Sequence, residues 1–186
     1  MPNITIEGVR ISYPNLFQAK QVNNQGDPKF SAAFIIPNTN PALAQLKALA
    51  AELVAKAHPN GKPHNFKELP ICAGEVYQNG KHANNPAYMG HHVLNTGKSA
   101  AQGQPYVLDQ AMNKILDPAA IYPGMIVNVA LSVYTYSNIS KGVTTGLEGV
   151  QIVRDGERLD SKPAAEELFK PIDVVSGGGG EVDPLG

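Results

Sequence analysis

Aromatic and basic side chains occur together in two neighbouring segments near the N-terminus. Residues 10–17 read R-I-S-Y-P-N-L-F, and residues 29–36 follow after a polar stretch as K-F-S-A-A-F-I-I. Aromatic rings can stack on unpaired bases, and lysines can neutralise phosphates. The pattern therefore predicts contact with a single-stranded nucleic acid rather than catalysis.

Outside these segments, the reactive side chains do not form a catalytic or metal-binding motif. Cys72 has no neighbouring cysteine, and the five histidines lack the paired short spacings of a structural zinc site. The chain also lacks a P-loop, a G-x-G-x-x-G turn and a G-x-S-x-G elbow. We therefore expect no catalytic residue, no metal and no cofactor, and we interpret the protein as not an enzyme. A nuclease whose histidines and aspartates come together only on folding remains an alternative.

The strongest strand pattern in the chain predicts on which face of a strand two tyrosines lie. Between residues 125 and 133 every second side chain is apolar, and this set predicts the buried face: Met125, Val127, Val129, Leu131 and Val133. Tyr134 and Tyr136 fall on the opposite, polar face, where bases could stack on them at about 1–3 kcal/mol per base. The alternative interpretation is that both rings cover the rim of the sheet.

The other candidate contacts are aromatic, basic or histidine side chains in strands and loops. Phe17 is ambiguous, because a ring at this position could fill the core instead, whereas Phe30 and Phe34 are predicted to be core residues. The full set of predicted nucleic-acid-binding residues is Tyr13, Phe17, Lys20, Lys29, Tyr77, Lys81, Tyr88, His91, Lys98, Tyr134, Tyr136 and Lys141.

The first strand must position the N-terminal rings. Its hydrophobic alternation over residues 3–13 changes phase at Gly8, which indicates a β-bulge. Pro14 is expected to end the strand, because proline has no N–H group to donate. Residues 23–28 are rich in turn-forming side chains and lead into the strand at 29–36.

One helix interrupts the strands. Asn40 is a suitable N-cap, Pro41 fits the first helical position, and an apolar stripe continues to about His58. Residues 59–87 are then rich in proline, glycine and asparagine, which predicts long irregular loops. A loop region of this length in a compact domain is often where ligands bind.

The second half of the chain predicts strands at 88–98, 106–108, 125–137 and 143–153. We expect Arg154 to pair with Asp155 or Glu157 and so to hold the exit of the last strand. The pattern as a whole predicts a mainly β (α+β) domain with one inserted helix.

Composition favours a single folded domain in a reducing compartment. The chain has 186 residues, 42% hydrophobic and 17% charged, with one cysteine. It contains neither an apolar run long enough to span a membrane nor a signal peptide. We expect a cytoplasmic protein without a membrane partner.

Charge is distributed unevenly between the body and the C-terminal end. Residues 1–154 hold 12 lysines and arginines against 8 acidic residues, whereas residues 155–186 hold 3 against 8. We therefore expect two parts: a nucleic-acid-binding domain over 1–160, and a tail over 161–186 with a short acidic helix and a flexible glycine linker. Such a tail can compete for a basic site, or it can simply keep the protein in solution.

Three sequence motifs resemble those of a phage single-stranded-DNA-binding protein family of the enterobacterial-phage type, formerly a domain of unknown function. The family has a similar R-[IL]-S-Y-x-N-L-F opening, a similar Y-x-Y-x-N-x-x-K-G strand and turn, and a similar V-R-D-G-E exit. These motifs correspond to residues 10–17, 134–142 and 153–157 of this chain. The resemblance is good over 9–37 and 121–160 and loose between them.

The resemblance implies an OB-fold-like coiled antiparallel barrel that coats single-stranded DNA without sequence preference during DNA replication or recombination. Implied partners are single-stranded DNA, duplex DNA once the tail is removed, replication or recombination proteins that bind the tail, and further copies of the chain on DNA. The implied location is the cytoplasm of an infected bacterial cell. A partner-binding β-domain of the replication machinery that never contacts DNA is the alternative.

Overall fold

The computed structural model describes residues 1–160 and 168–173. The acidic helix expected at 161–170 and the glycine linker fall largely outside these residues. The described chain forms seven strands and one α-helix: β1 (Asn3–Val22), β2 (Gln25–Pro37), α1 (Pro41–Ala57), β3 (Ile71–Ala73), β4 (His91–Ser99), β5 (Tyr106–Leu108), β6 (Ile126–Ser137) and β7 (Lys141–Arg154). Short 3₁₀ helices lie at Gly74–Val76, Ala100–Gln102 and Pro118–Ala120.

Five of the strands close into a barrel. β1 pairs antiparallel with β2 and β6, β2 pairs with β4, and β6 pairs with β7. A single parallel bridge from Gly97 of β4 to Gly146 of β7 completes the ring. β3 and β5 extend the edges of the sheet, and α1 connects β2 to the rest of the barrel. The mainly β fold with one inserted helix that the pattern predicted is confirmed, and so is the OB-fold-like barrel that the resemblance implied.

The pairing between β4 and β7 has fewer backbone hydrogen bonds than that of any other strand pair in the barrel. Beside the Gly97–Gly146 bridge, Thr96 Oγ1 donates a hydrogen bond to the Thr145 carbonyl at 3.3 Å. Thr145 is itself buried, and its hydroxyl has no hydrogen-bond partner within the described chain. Closure therefore depends on a small number of polar contacts.

The β-bulge predicted at Gly8 is confirmed. Gly8 has a φ of 66°, and the register between β1 and β6 shifts between Ile6 and Val9. Ile6 and Val9 are both fully buried, although a regular strand would place residues three apart on opposite faces. The bulge therefore lets both side chains enter the core.

The predicted strand end at Pro14 is wrong, because β1 continues to Val22. Pro14 lies where the register with β2 is already shifted, between Ser12 and Asn15. At such an irregularity the missing N–H group interrupts no regular ladder. The turn is also shorter than expected, since only Asn23 and Asn24 form it, with φ values of 53° and 54°. Two residues with positive φ are typical of a type I′ hairpin.

The helix and the β6 alternation are confirmed. The Asn40 side chain accepts a hydrogen bond from the Ala42 N–H at 2.9 Å, and α1 runs from Pro41 to Ala57. The five apolar residues from Met125 to Val133 are all at most 5% exposed. On the opposite face of β6, however, Ile126 and Ser132 are buried rather than exposed. That face is therefore only partly open to solvent.

A second hydrophobic cluster covers part of the outer surface of the barrel. The alternation places Ala33 on the outer face of β2, opposite Phe34, yet Ala33 and Ile35 are buried. They pack with Tyr77 and Tyr88 from the irregular segment 74–90, which folds over β2 and β4. The long loop region thus supplies a cover for one end of the sheet.

Candidate nucleic-acid interface

A row of small residues, here called the trough, crosses the outer face of the barrel. Ser31 of β2 pairs with Gly97, Gly97 bridges Gly146, and Gly146 pairs with Ser132 of β6. A Cβ atom on Gly146 would lie 2.5 Å from Ser132 Oγ, so this position has no room for a side chain. Because β4 and β7 are parallel, the β1–β2 turn lies towards the end of these two strands and the β6–β7 turn towards their start, on opposite sides of the trough. OB-fold barrels bind oligonucleotides across the corresponding face, between the corresponding loops.

Tyr134 and Tyr136 lie beside this trough, both partly exposed. Tyr136 pairs with Gly142, and its Oη would be 2.6 Å from a Cβ placed on that glycine. The Tyr134 ring edge would be 3.5 Å from a Cβ on Gly146. Each ring therefore packs against a glycine of β7, which fixes its position while part of it remains open to solvent.

Two lysines lie together beside the β6–β7 turn. The Lys67 N–H donates to the Lys141 carbonyl at 2.9 Å, and the Lys67 carbonyl accepts from the Val143 N–H at 2.9 Å. Both lysines are exposed, and neither forms an ion pair within residues 1–160 and 168–173. Lys141 was among the predicted site residues. Lys67 was not, because only the contact of its loop with β7 brings it there.

Lys20 and Lys29 are direct partners across β1 and β2. Both are exposed, next to the β1–β2 turn. Like charges in directly opposed positions of an antiparallel pair repel each other. A phosphate bound between them would remove that repulsion, so this arrangement suits an anionic ligand.

Tyr13 lies at the edge of the cover formed by segment 74–90. Its ring is 41% exposed, its φ is 47°, and its hydroxyl lies 3.2 Å from both Gln78 Oε1 and His82 Nε2. The His82 ring stacks on Tyr88 with centroids 4.1 Å apart. Burial, followed by the charge of Lys81, lowers the pKa of His82 and so favours the neutral ring. Tyr13 and the exposed Lys81 remain accessible on this part of the surface.

Tyr77 and Tyr88 are not accessible in this way. Their rings are 7% and 1% exposed, and both pack in the second cluster. Burial raises the pKa of Tyr77 to about 12, and its hydroxyl lies 3.0 Å from Asn95 Oδ1. Their predicted stacking role does not fit this burial; the rings hold the cover on the sheet instead.

Three other predicted contacts have structural partners. Lys98 is paired with Glu148 at 3.5 Å, and its side chain is only 17% exposed. Phe17 is partly buried and packs against the main core, in line with the alternative interpretation of this ring. The half-buried His91 has its Nδ1 2.7 Å from the Met89 carbonyl. These three side chains are less available to a ligand than Tyr13, Lys20, Lys29 or Lys141.

No group of three or more histidine, cysteine, aspartate or glutamate side chains in the described part of the chain is arranged to hold a metal ion. None of its helices is both long enough and apolar enough to cross a membrane.

Comparison with known proteins identifies the family. A sequence profile described as Enterobacter phage Enc34, ssDNA-binding protein matches residues 2–177. The chain belongs to the Enc34 ssDNA-binding protein family. A curated relative is "Putative protein p50" of Acyrthosiphon pisum secondary endosymbiont phage 1. It is 29% identical over 174 residues, with 83% of this chain and 84% of the relative covered.

Solved structures share the fold. The Enc34 single-stranded DNA-binding protein, in a structure with ssDNA, matches with a TM-score of 0.69 and 24% identity, covering 85% of this chain and 89% of that one. The single-stranded DNA-binding protein gp2.5 of bacteriophage T7 matches with a TM-score of 0.58 and 17% identity, covering 89% and 91%. The barrel architecture is therefore common to phage proteins with little sequence identity.

In this member of the Enc34 family, much of the R-I-S-Y motif has a structural role. Arg10 Nη2 donates to the Glu157 carbonyl at 2.6 Å, and its Nε donates to the Gly124 carbonyl at 3.4 Å. The buried Ser12 hydroxyl bonds to the Tyr88 hydroxyl at 2.8 Å. Arg10 thus fixes the segment that follows the last strand. The predicted pairing of Arg154 with Asp155 or Glu157 is wrong, because Arg154 is exposed and forms no ion pair within the described residues.

The two arginines make a matched pair for a stability test. Arg10→Met should lower the free energy of unfolding by about 1.5–3 kcal/mol, because hydrogen bonds to a charged group are lost. Arg154→Met should change it by less than about 0.5 kcal/mol, as is usual for an exposed residue without partners. Urea unfolding followed by circular dichroism measures both values. Equal stability of the two variants would show that Arg10 does not anchor the strand exit.

Proposed function

We propose that this chain is a phage single-stranded-DNA-binding protein that coats DNA without sequence preference. The observation that carries the proposal is the trough of small residues, with Tyr134 and Tyr136 beside it and exposed lysines near the two turns that flank it, in a member of the Enc34 family. Bases would stack on the tyrosines, and Lys20, Lys29, Lys67 and Lys141 would neutralise phosphates. No covalent chemistry is part of this proposal.

The proposed setting is DNA replication or recombination in the cytoplasm of an infected bacterium. Neighbouring copies of the chain would associate along the DNA, since binding along a strand is commonly cooperative. The two-part organisation, with a binding domain over 1–160 and an acidic tail over 161–186, belongs to the same proposal. A partner-binding domain that never contacts DNA is less consistent with the family, whose profile is that of an ssDNA-binding protein.

Fluorescence anisotropy with labelled oligo-dT in magnesium-free buffer tests the proposal directly. We expect binding that strengthens with oligonucleotide length and differs little between oligo-dT and a mixed sequence of the same length. Absence of binding at low salt would support the partner-binding alternative. Incubation of the same oligonucleotides with Mg²⁺ should leave them intact, and metal-dependent degradation would support a nuclease instead.

The acidic tail is proposed to compete with DNA for the basic surface. Its last residues, 181–186, read E-V-D-P-L-G after four consecutive glycines and lie outside the described part of the chain. A tethered acidic segment acts at a high effective concentration and suppresses weak ligands most. Once displaced by DNA, the same segment would be available to replication or recombination proteins.

Deletion of the chain after Val175 should therefore leave a folded domain that binds single strands at least as tightly and gains measurable binding to duplex DNA. Anisotropy titrations of both DNAs at low salt compare the truncated and full-length chains. Full-length protein carrying Glu181→Gln and Asp183→Asn is the matched control for charge. Its affinities for single-stranded and duplex DNA should change in the same direction as those of the truncated chain. Weaker binding by the truncated chain would make the tail part of the binding surface.

A further inference from the structure

We propose that Tyr106 is a third base-stacking ring of the interface, an inference that rests on the proposed function and extends it. Tyr106 begins β5, and its side chain is 67% exposed. The sequence pattern alone predicts Tyr106 only as part of a short strand. Exposed aromatic rings on a sheet are the platforms on which single-stranded nucleic acids stack.

Strand pairing places Tyr106 on the same outer surface as the other two tyrosines. β5 pairs in parallel with β7 through Tyr106 and Gly149, and Gly149 also pairs with Ala130 of β6. A Cβ atom on Gly149 would lie only 2.9 Å from the Tyr106 Cβ, so the two residues face the same side. Ala130 lies four residues before Tyr134 in β6 and faces the same side of the strand.

A β-bulge in β7 makes this arrangement possible. Val143, Thr145 and Leu147 are buried and face the interior, so Gly149 would also face inward in a regular strand. The register with β6 shifts between Ala130 and Leu131, which leaves Glu148 as an extra residue. Gly149 therefore faces outward, and a ring at position 106 can lie over the outer face.

Each of the three tyrosines thus lies next to a different glycine of one strand. Tyr136 packs on Gly142, Tyr134 lies near Gly146, and Tyr106 lies next to Gly149. Tyr134 and Tyr136 approach β7 from β6, whereas Tyr106 approaches from the opposite edge. From Gly142 to Gly149 the strand extends about 23 Å at roughly 3.3 Å per residue. A row of this length suits a ligand of several nucleotides.

An additional cation lies near the Tyr106 end of the row. Lys114 is exposed and forms a backbone bridge with Leu108, the last residue of β5. It forms no ion pair with any other described residue. A phosphate that follows a base stacked on Tyr106 would therefore meet a positive charge at this end, as it would near Lys67 and Lys141 at the other.

Substitution of Tyr106 tests the role of the ring. Tyr106→Ala should weaken binding to a long oligo-dT by about 5-fold to 150-fold, the loss expected for one stacked base. Tyr106→Phe keeps the ring and should bind like the wild type. Both variants should melt near the wild-type temperature, because the ring is mostly exposed. Wild-type affinity of Tyr106→Ala would overturn the inference.

Oligonucleotide length separates this inference from the proposed function. A single OB-fold binds about 4 to 16 nucleotides. Over this range of oligo-dT lengths, the difference in affinity between Tyr106→Ala and the wild type should increase as the ligand becomes long enough to reach all three rings. If the wild type does not bind oligo-dT, the proposed function itself fails. If the wild type binds and Tyr134→Ala weakens binding while Tyr106→Ala does not at any length, only the third ring is disproved.

A direct reporter is available because the chain contains no tryptophan. Tyr106→Trp introduces a single indole at the proposed contact, and its fluorescence should be quenched as oligo-dT is added. The quenching should saturate at the stoichiometry measured by anisotropy with labelled oligo-dT. Saturated binding by anisotropy with unchanged indole emission would place position 106 outside the DNA path.

Discussion

Replacing both Tyr134 and Tyr136 with alanine should weaken binding to oligo-dT by about 30-fold or more. Each stacked base contributes about 1–3 kcal/mol, and each 1.4 kcal/mol is a tenfold change in affinity. Both rings are partly exposed beside the trough, whereas the core side chains of β6 lie on its opposite face. Anisotropy titration at constant salt measures the change, with the single variants alongside.

The control for this experiment must separate stacking from folding. Because Tyr136 covers Gly142 and Tyr134 lies near Gly146, truncation also uncovers β7 and should reduce stability modestly. Tyr134→Phe and Tyr136→Phe keep the rings and should retain most of the affinity. A double alanine variant whose melting temperature collapses, while its folded fraction binds normally, would show that the rings serve only packing.

The affinity for single-stranded DNA should fall steeply with salt. If Lys20, Lys29, Lys67 and Lys141 each neutralise one phosphate, the slope of log K against log salt should be about −2.8, since each contact to a single strand contributes about −0.7. A fourfold rise in salt should then weaken binding by about 50-fold. Titrations at several salt concentrations give the slope, and an affinity that is independent of salt would contradict this electrostatic account.

Lysine substitutions should change that slope by predictable steps. Lys20→Gln with Lys29→Gln should make it shallower by about 1.4, because two phosphate contacts are removed. Lys56→Gln is the matched control, since Lys56 lies on α1 and pairs with Glu52 at 2.7 Å. The control should leave the slope unchanged. Equal slopes for all three proteins would exclude the β1–β2 hairpin from the contact surface.

The parts of the fold that depend on local pattern could be predicted from the sequence. The alternation of β6, the cap at Asn40 and the phase change at Gly8 each arise from residues close in the chain, and the structure has all three. Tyr134 and Tyr136 were placed on the outer face for the same reason. The prediction at Pro14 failed because the pairing of β1 with β2 is irregular there, and that irregularity depends on both strands.

The remaining site assignments depended on long-range packing. Nothing near Tyr77 or Tyr88 indicates that segment 74–90 folds back over Ala33 and Ile35 and buries both rings. Lys98 is neutralised by a glutamate fifty residues later, at the β7 bulge. The position of Tyr106 depends on the same bulge, which the glycines of β7 suggest but do not locate. Residue types thus predicted which side chains could contact DNA, whereas contacts between distant segments determine which of these side chains are exposed.

The sparse bonding between β4 and β7 links stability to ligand binding. Gly97 and Gly146 form the single bridge between these two strands, and both also belong to the trough. A strand of DNA bound in the trough would therefore cross the strand pair at which the barrel opens most easily. A ligand that binds only the closed form adds its binding free energy to the stability of that form. Local opening of the free protein would therefore be suppressed on DNA, and the loaded protein would resist heat and proteolysis better than the free one.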